Sequence, residues 1–220
     1  MSEIIPTVVP SAFIDVTAAK DRYGAFASSL HIDAADGVFA PNTTWLPVNG
    51  EKLPDSGRIM YEAHLMIEHP LSAGVSFARA GAKRVIGHIE AFENAECARE
   101  AFDMWQKAGA TEMGVAILLS TPLEELAPYL SLCDFVHMMT IEKIGKQGAQ
   151  FDERSIERVE AVHARYPHIT ISVDGGGNVK TIDVLAHAGA SRFCAGSALA
   201  KAKDPAKEYS RLLNAASAIQ

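Results

Sequence analysis

The sequence predicts an α/β fold, a (β/α)8 barrel formed as a single domain over residues 1–220. Short apolar runs of strand length recur eight times, and stretches with helical spacing fill most of the gaps. Gly81, Gly109 and Gly189 each follow a helical stretch and lead within a few residues into the next strand, the αβ half of a repeating unit. Eight such alternations in 220 residues suit a closed barrel better than an open doubly wound sheet.

Taken in order, strands are expected at 7–10, 29–33, 63–66, 84–89, 114–118, 135–139, 169–173 and 192–195. Helices are expected at 17–28, 70–81, 94–109, 122–131, 152–166, 179–189 and 205–216, several with Pro in the first turn. The second βα unit is degraded. Residues 41–61 carry Pro47, Gly50, Pro54 and Gly57 with no helical face, so a long loop with at most a short helix is expected there.

Composition agrees with an ordinary globular chain, at 48% hydrophobic and 21% charged residues. At this length one domain buries roughly 70–75% of the surface its unfolded chain exposes, without disulfide or metal staples. Cys97, Cys133 and Cys194 are widely spaced, form no CxxC pair and read as reduced thiols in a cytoplasmic protein. No signal-peptide pattern opens the sequence, and no apolar run approaches the roughly 18 residues a membrane span needs. The net charge of −7 argues against a nucleic-acid or anionic-membrane partner. An anionic small substrate remains compatible with it, because a pocket's local field can oppose the net charge.

In a barrel of this kind the C-terminal strand ends carry the chemistry. The second strand ends His31-Ile32-Asp33, and residues two apart on a strand project to the same side. The third supplies His64 and Met66, the fourth His88 and Glu90, and the seventh Asp174 followed by Gly175, Gly176 and Gly177. Two imidazoles and two carboxylates at such ends suit a divalent transition metal such as Zn, Fe or Mn. A metal between opposed carboxylates suits proton abstraction beside a ketone, with Asp33 and Asp174 serving the two faces of one carbon. The competing readings are hydrogen-bonded core histidines and capping carboxylates. The glycines after strand seven, and Gly196-Ser197 after strand eight, stand where barrels bind phosphate at helix N-termini. Asp36-Gly37 reads as a turn, His137 as a satisfied core histidine on the face of Met139, and Trp45 and Trp105 as packing. Glu90 has no partner that the sequence reveals.

These residues resemble the ribulose-phosphate 3-epimerase family over about Pro10 to Ala200. The likeness is carried by Pro10-Ser11, LHIDAADGVFAPN (30–42), EAHLMIEHP (62–70), HIEA (88–91), MTI (139–141), VDGGGN (173–178) and AGSALA (195–200). The resemblance implies a TIM barrel holding one divalent metal (Zn, Fe, Mn or Co) through His31, Asp33, His64 and Asp174. It also implies that Asp33 and Asp174 form the acid–base pair. A ketose phosphate substrate would then be bound by Ser11, Met66, His88, Met139, Gly176, Gly177, Gly196 and Ser197, in a chain expected to be a homo-oligomer.

The departures from the family pattern concern substrate identity. Ala35 replaces a methionine, the fifth-strand loop is the apolar run 118–122, and 142–148 (Glu-Lys-Ile-Gly-Lys-Gln-Gly) replaces a glycine-rich segment, with one residue inserted before Phe151. Lys143 and Lys146 either take over phosphate binding or are solvated loop residues. The leading expectation is a sugar-phosphate 3-epimerase acting on ribulose 5-phosphate or a related ketose phosphate. The alternatives are a non-catalytic phosphometabolite binder and a lyase of the related phosphate-binding barrels. Such lyases use the lysine of an Asp-x-Lys-x-x-Asp segment, and here Asp33-Ala34-Ala35-Asp36 has none.

Overall fold

Eight parallel strands pair in chain order and the first closes against the last in the computed structural model, which describes residues 2–145 and 148–217. The strands are β1 (Glu3–Val8), β2 (Ser29–Ala35), β3 (Met60–Met66), β4 (Arg84–His88), β5 (Glu112–Ile117), β6 (Phe135–Met139), β7 (Thr170–Asp174) and β8 (Arg192–Ala195). The helices are α1 (Phe13–Tyr23), α2 (Leu71–Ala80), α3 (Ala95–Ala108), α4 (Arg154–Arg165), α5 (Val179–His187), α6 (Ser197–Ala200) and α7 (Pro205–Ala216). Among the described residues, no helix is long and apolar enough to cross a membrane.

No helix forms between β2 and β3, as the Pro- and Gly-rich composition there requires. The largest differences from expectation concern the first strand, the first helix and the segment after β5. The first strand occupies Glu3–Val8 rather than 7–10, because Pro6 does not end it. The recorded register passes from β8 to β2 at Pro6 and Thr7, so one missing N–H costs the ladder little. The first helix starts at Phe13, four residues earlier than expected, because the Asp15 carboxylate accepts the backbone N–H groups of Ser11 and Ala12 at 2.8 and 3.0 Å. The helix expected at 122–131 shrinks to a 3₁₀ turn at Leu123–Leu126. Pro128 explains this, since it supplies no N–H to the Glu124 carbonyl four residues back and its ring crowds that carbonyl.

Outward strand residues such as Ile32, Leu65, Val85, Val115, Val136 and Phe193 meet the helices in the main apolar core. Each such burial contributes about 1.5–3 kcal/mol. Trp105 of α3 is fully buried and donates its indole N–H to the Leu71 carbonyl at 2.9 Å, which locks α3 onto α2. Gly74 of α2 lies against that ring, and a Cβ there would clash with the indole.

The inward-pointing residues stack in layers along the barrel axis. Glu3, Arg84, Glu112 and Arg192, at the N-terminal ends of their strands, form a charged bottom layer. The Phe135 ring packs against the Arg192 guanidinium at 4.8 Å, Ile86 and Cys194 follow two residues beyond the arginines, and the upper layers carry the histidines and aspartates considered next.

Candidate active site

Alternation along β2 turns His31 and Asp33 inward, and the same parity turns Glu62, His64 and Met66 inward from β3. Their side chains meet. Asp33 Oδ1 lies 3.2 Å from His31 Nε2 and 3.1 Å from His64 Nδ1, while Asp174 Oδ2 stands 3.8 Å from His64 Nδ1. The two carboxylates therefore flank one imidazole nitrogen, and all four expected ligands converge at the C-terminal end of the barrel. Ligand atoms of His31, His64, Asp174 and a further residue, His137, lie within 4.8 Å of one another.

The hydrogen bonds around the cluster assign the ring protons. His31 Nδ1 donates to Glu62 Oε1 at 2.6 Å, which leaves Nε2 facing Asp33. His64 Nε2 donates to His88 Nε2 at 2.8 Å, and His88 Nδ1 donates to Glu90 Oε2 at 3.3 Å, which leaves His64 Nδ1 facing the carboxylates. Burial lowers the His31 ring, but its Cys194, Asp33 and Glu62 neighbours outweigh it and raise the group well above its usual range, so a bound ion would take the place of the proton between Nε2 and Asp33. Imidazoles oriented from behind by Glu62 and His88 fit a divalent transition ion. Burial pushes His88 down to about 4, which keeps that relay ring neutral. Burial also raises both aspartates, but their surroundings pull them apart. Hydrogen bonds from His31 and His64 outweigh it at Asp33 and hold that carboxyl far below its usual range. At Asp174 the Asp33 charge adds to burial and raises the group to about 6.

Above the cluster opens a narrow cleft. Asp33 and Asp174 form part of its floor with Thr7 and Cys194, Met66 and Met139 part of its walls, and Gly176, Gly177, Gly196 and Ser197 one end. Gly176 has φ +61°, and a Cβ there would stand 2.8 Å from the Phe151 side chain, so only glycine fits this closely packed end. Two expected substrate residues lie elsewhere. His88 is buried behind His64 and does not line the cleft, because its ring is spent on His64 and Glu90. Ser11 is exposed at the start of α1, its backbone N–H held by Asp15, and does not line the cleft either.

The model of the ribulose-phosphate 3 epimerase family matches residues 3–200. A protein named ribulose-phosphate 3-epimerase, cytoplasmic isoform, from Oryza sativa subsp. japonica is 33% identical, with 96% of this chain and 92% of the relative covered. The ribulose-phosphate 3-epimerase of Mycobacterium tuberculosis strain H37Rv is 35% identical, with 97% and 94% covered. The chain belongs to this family. As a member of the epimerase family it is an isomerase of the class acting on carbohydrate phosphates. Among solved structures, the 3-keto-L-gulonate-6-phosphate decarboxylase of Vibrio cholerae superposes with a TM-score of 0.72 at 12% identity, with 100% of each chain covered. The 3-hexulose-6-phosphate synthase of Salmonella typhimurium gives 0.69 at 15% identity, with 98% of each chain covered, so these two share the barrel fold.

Three departures from the epimerase family pattern meet in space. Ala35, Ile144 and Leu118 pack with Ala40, Met66, Met139 and Ile141 into a small apolar cluster of their own beside the cleft. Lys143 is exposed and lines an outer groove with Phe151 and Asp152, away from the cleft, while Lys146 lies outside the described residues. Among the described residues, the cation that shares a groove with Gly176, Gly177 and Ser197 is Lys201, which the sequence did not single out. Glu62 and Glu90 also went unassigned. Glu62 shares the parity of His64, a signal that was available. Glu90 takes its other partners, the Leu118 N–H and the Thr121 hydroxyl, from a loop about 30 positions away.

Proposed function

We propose that the chain is a metal-dependent 3-epimerase that interconverts ribulose 5-phosphate and xylulose 5-phosphate, or a closely related ketose phosphate pair. The observation that carries this reading is the placement of Asp33 and Asp174 within 3.1 and 3.8 Å of His64 Nδ1, both lining one cleft. A divalent ion held by His31, Asp33, His64 and Asp174, whether Zn, Fe, Mn or Co, would supply Lewis-acid polarisation of the C2 carbonyl. The carboxylate on one face of C3 accepts the C3 proton, giving the enediolate. The carboxyl on the other face delivers a proton to C3 with inverted configuration, and the reverse reaction exchanges the two roles. Met66 and Met139 keep water from the carbanionic carbon, while Gly176, Gly177, Gly196 and Ser197 receive the phosphate.

The lyase alternative lacks its chemistry here. Ala35 occupies the position at which the lyase segment carries lysine, and it is buried against Met66. Metal analysis together with deuterium exchange at C3 over a panel of ketose phosphates tests the reading. Solvent deuterium should enter C3 with inversion, in protein carrying close to one metal per chain, and His64→Ala should lose most of the metal and the exchange together. Metal-loaded protein that binds these phosphates without C3 exchange would be a binder, not an epimerase.

A further inference from the structure

We propose that His137 is a protein ligand of the divalent ion, so that the site of this chain is built on three imidazoles and not two. The proposal rests on the metal-dependent reading above and adds a residue that the expected ligand set does not contain. His137 lies in the middle of β6, where the register pairs it with Ser172 and pairs Met139 with Asp174. Its ring is fully buried, and Nε2 has no hydrogen-bond partner among the described residues. That orphaned atom lies 4.0 Å from Asp174 Oδ2, and His137 joins His31, His64 and Asp174 in a group whose ligand atoms lie within 4.8 Å of one another. The His137 ring stacks on that of His31 at 5.4 Å and packs at 4.7 Å from that of His64.

The other nitrogen is already engaged. His137 Nδ1 stands 3.0 Å from the buried Ser172 hydroxyl. With the proton on Nδ1, donated to Ser172 Oγ, Nε2 presents a lone pair to the same space as His31 Nε2 and His64 Nδ1. With the proton on Nε2 instead, the N–H would point at Asp174 across 4.0 Å, too far for a hydrogen bond, and would stay unsatisfied. A satisfied core histidine is therefore not what the structure contains. Each of the three rings shows the same division, with one nitrogen tied to an oriented partner (Glu62, His88 or Ser172) and the other turned to the common centre. A third imidazole makes the donor set richer in nitrogen, which favours Zn and Co over Mn.

The test is Co(II) titration of metal-free wild type, His137→Leu, Ser172→Ala and His64→Ala, with affinity read by chelator competition and geometry by the visible d–d spectrum. Cu(II)-loaded wild type and His137→Leu are compared by EPR for the number of coupled imidazole nitrogens. His137→Leu should weaken Co(II) binding about 10–100-fold, alter the d–d bands and lose one coupled nitrogen. Ser172→Ala should weaken binding by up to about 10-fold while keeping that nitrogen, as loss of an orienting partner does. The nitrogen count in the wild type needs no variant to fold: three supports the proposal, and two overturns it. Unchanged affinity and spectrum in His137→Leu also overturn it. If His64→Ala then still loses its metal, only His137 leaves the ligand set. If His64→Ala is unchanged as well, the four-ligand reading has failed with it.

Discussion

Asp33 and Asp174 are the same chemical group held in two environments. Asp33 Oδ1 lies 3.2 and 3.1 Å from ring nitrogens of His31 and His64, whereas among the described residues Asp174 comes no nearer to a ring nitrogen than 3.8 Å and faces the Asp33 charge. Epimerisation between two faces of one carbon needs one group free to accept a proton while the other holds one, and the reverse reaction exchanges the two. Asp33→Asn and Asp174→Asn should each slow epimerisation by roughly 10²–10⁴-fold. Deuterium exchange then separates the faces: a variant that exchanges C3 of one epimer without inverting it has lost the opposite group. Wild-type turnover in either variant would sink the two-base mechanism. Glu62→Gln keeps every proposed ligand but removes the carboxylate behind His31, so metal affinity should fall about 10–100-fold, read by calorimetry on metal-free protein. At this scale much was legible, because period two on a strand shows which residues share an interior. What period two does not give is a partner. His137 and Glu62 had the right parity, but their roles depend on Ser172, His31 and Asp174, which neighbouring strands supply.

At the scale of elements, the segment that departs most from the family pattern carries charge whose direction the sequence does not encode. Ile144 turns in and packs under Met66 and Met139, and Lys143, next to it, turns out to solvent. Lys201 follows α6 directly and shares its groove with the glycines after β7. Lys143→Ala should therefore leave KM for a phosphorylated ketose unchanged, and Lys201→Ala should raise it about 2–5-fold, as an exposed charge does. Steady-state kinetics on both variants decides this. The reverse pattern would return the phosphate to the loop. The helices with clear Gly or Asn boundaries, α2, α3 and α5, lie within a residue or two of their expected spans. The expected helix at 122–131 fails for a local reason: Pro128 removes a backbone donor in its second turn, and only the 3₁₀ turn Leu123–Leu126 forms.

At the scale of the whole molecule, the barrel is held closed at the end opposite its cleft. Arg84 bridges Glu3 of β1 at 3.0 Å and Glu112 of β5 at 3.1 Å, while Arg192 of β8 meets Glu112 at 2.9 Å. These contacts join residues between 28 and 81 positions apart, so no local pattern announced them. The plug also reaches upward: Arg84 Nη1 lies 3.8 Å from Glu62 Oε2, and Glu62 orients His31. One guanidinium therefore serves both closure of the sheet and the carboxylate behind a proposed ligand. Arg84→Met removes the charge but keeps much of the volume, leaving Arg192 to serve Glu3 and Glu112 and the fully buried Glu62 carboxylate without the guanidinium 3.8 Å away. Breaking a buried pair from one side costs about 3–5 kcal/mol, because the remaining charge stays desolvated. In a domain of this size that corresponds to a fall in Tm of roughly 6–20 °C. Calorimetry on the metal-free and metal-loaded variant separates the two duties. Loss of stability alone, with metal affinity intact, would confine Arg84 to the plug. A fall in both, with the Glu62→Gln substitution adding little to the loss of affinity, would show that the bottom of the barrel tunes the metal site through Glu62. An unchanged Tm would mean that closure of the barrel does not depend on this ion cluster.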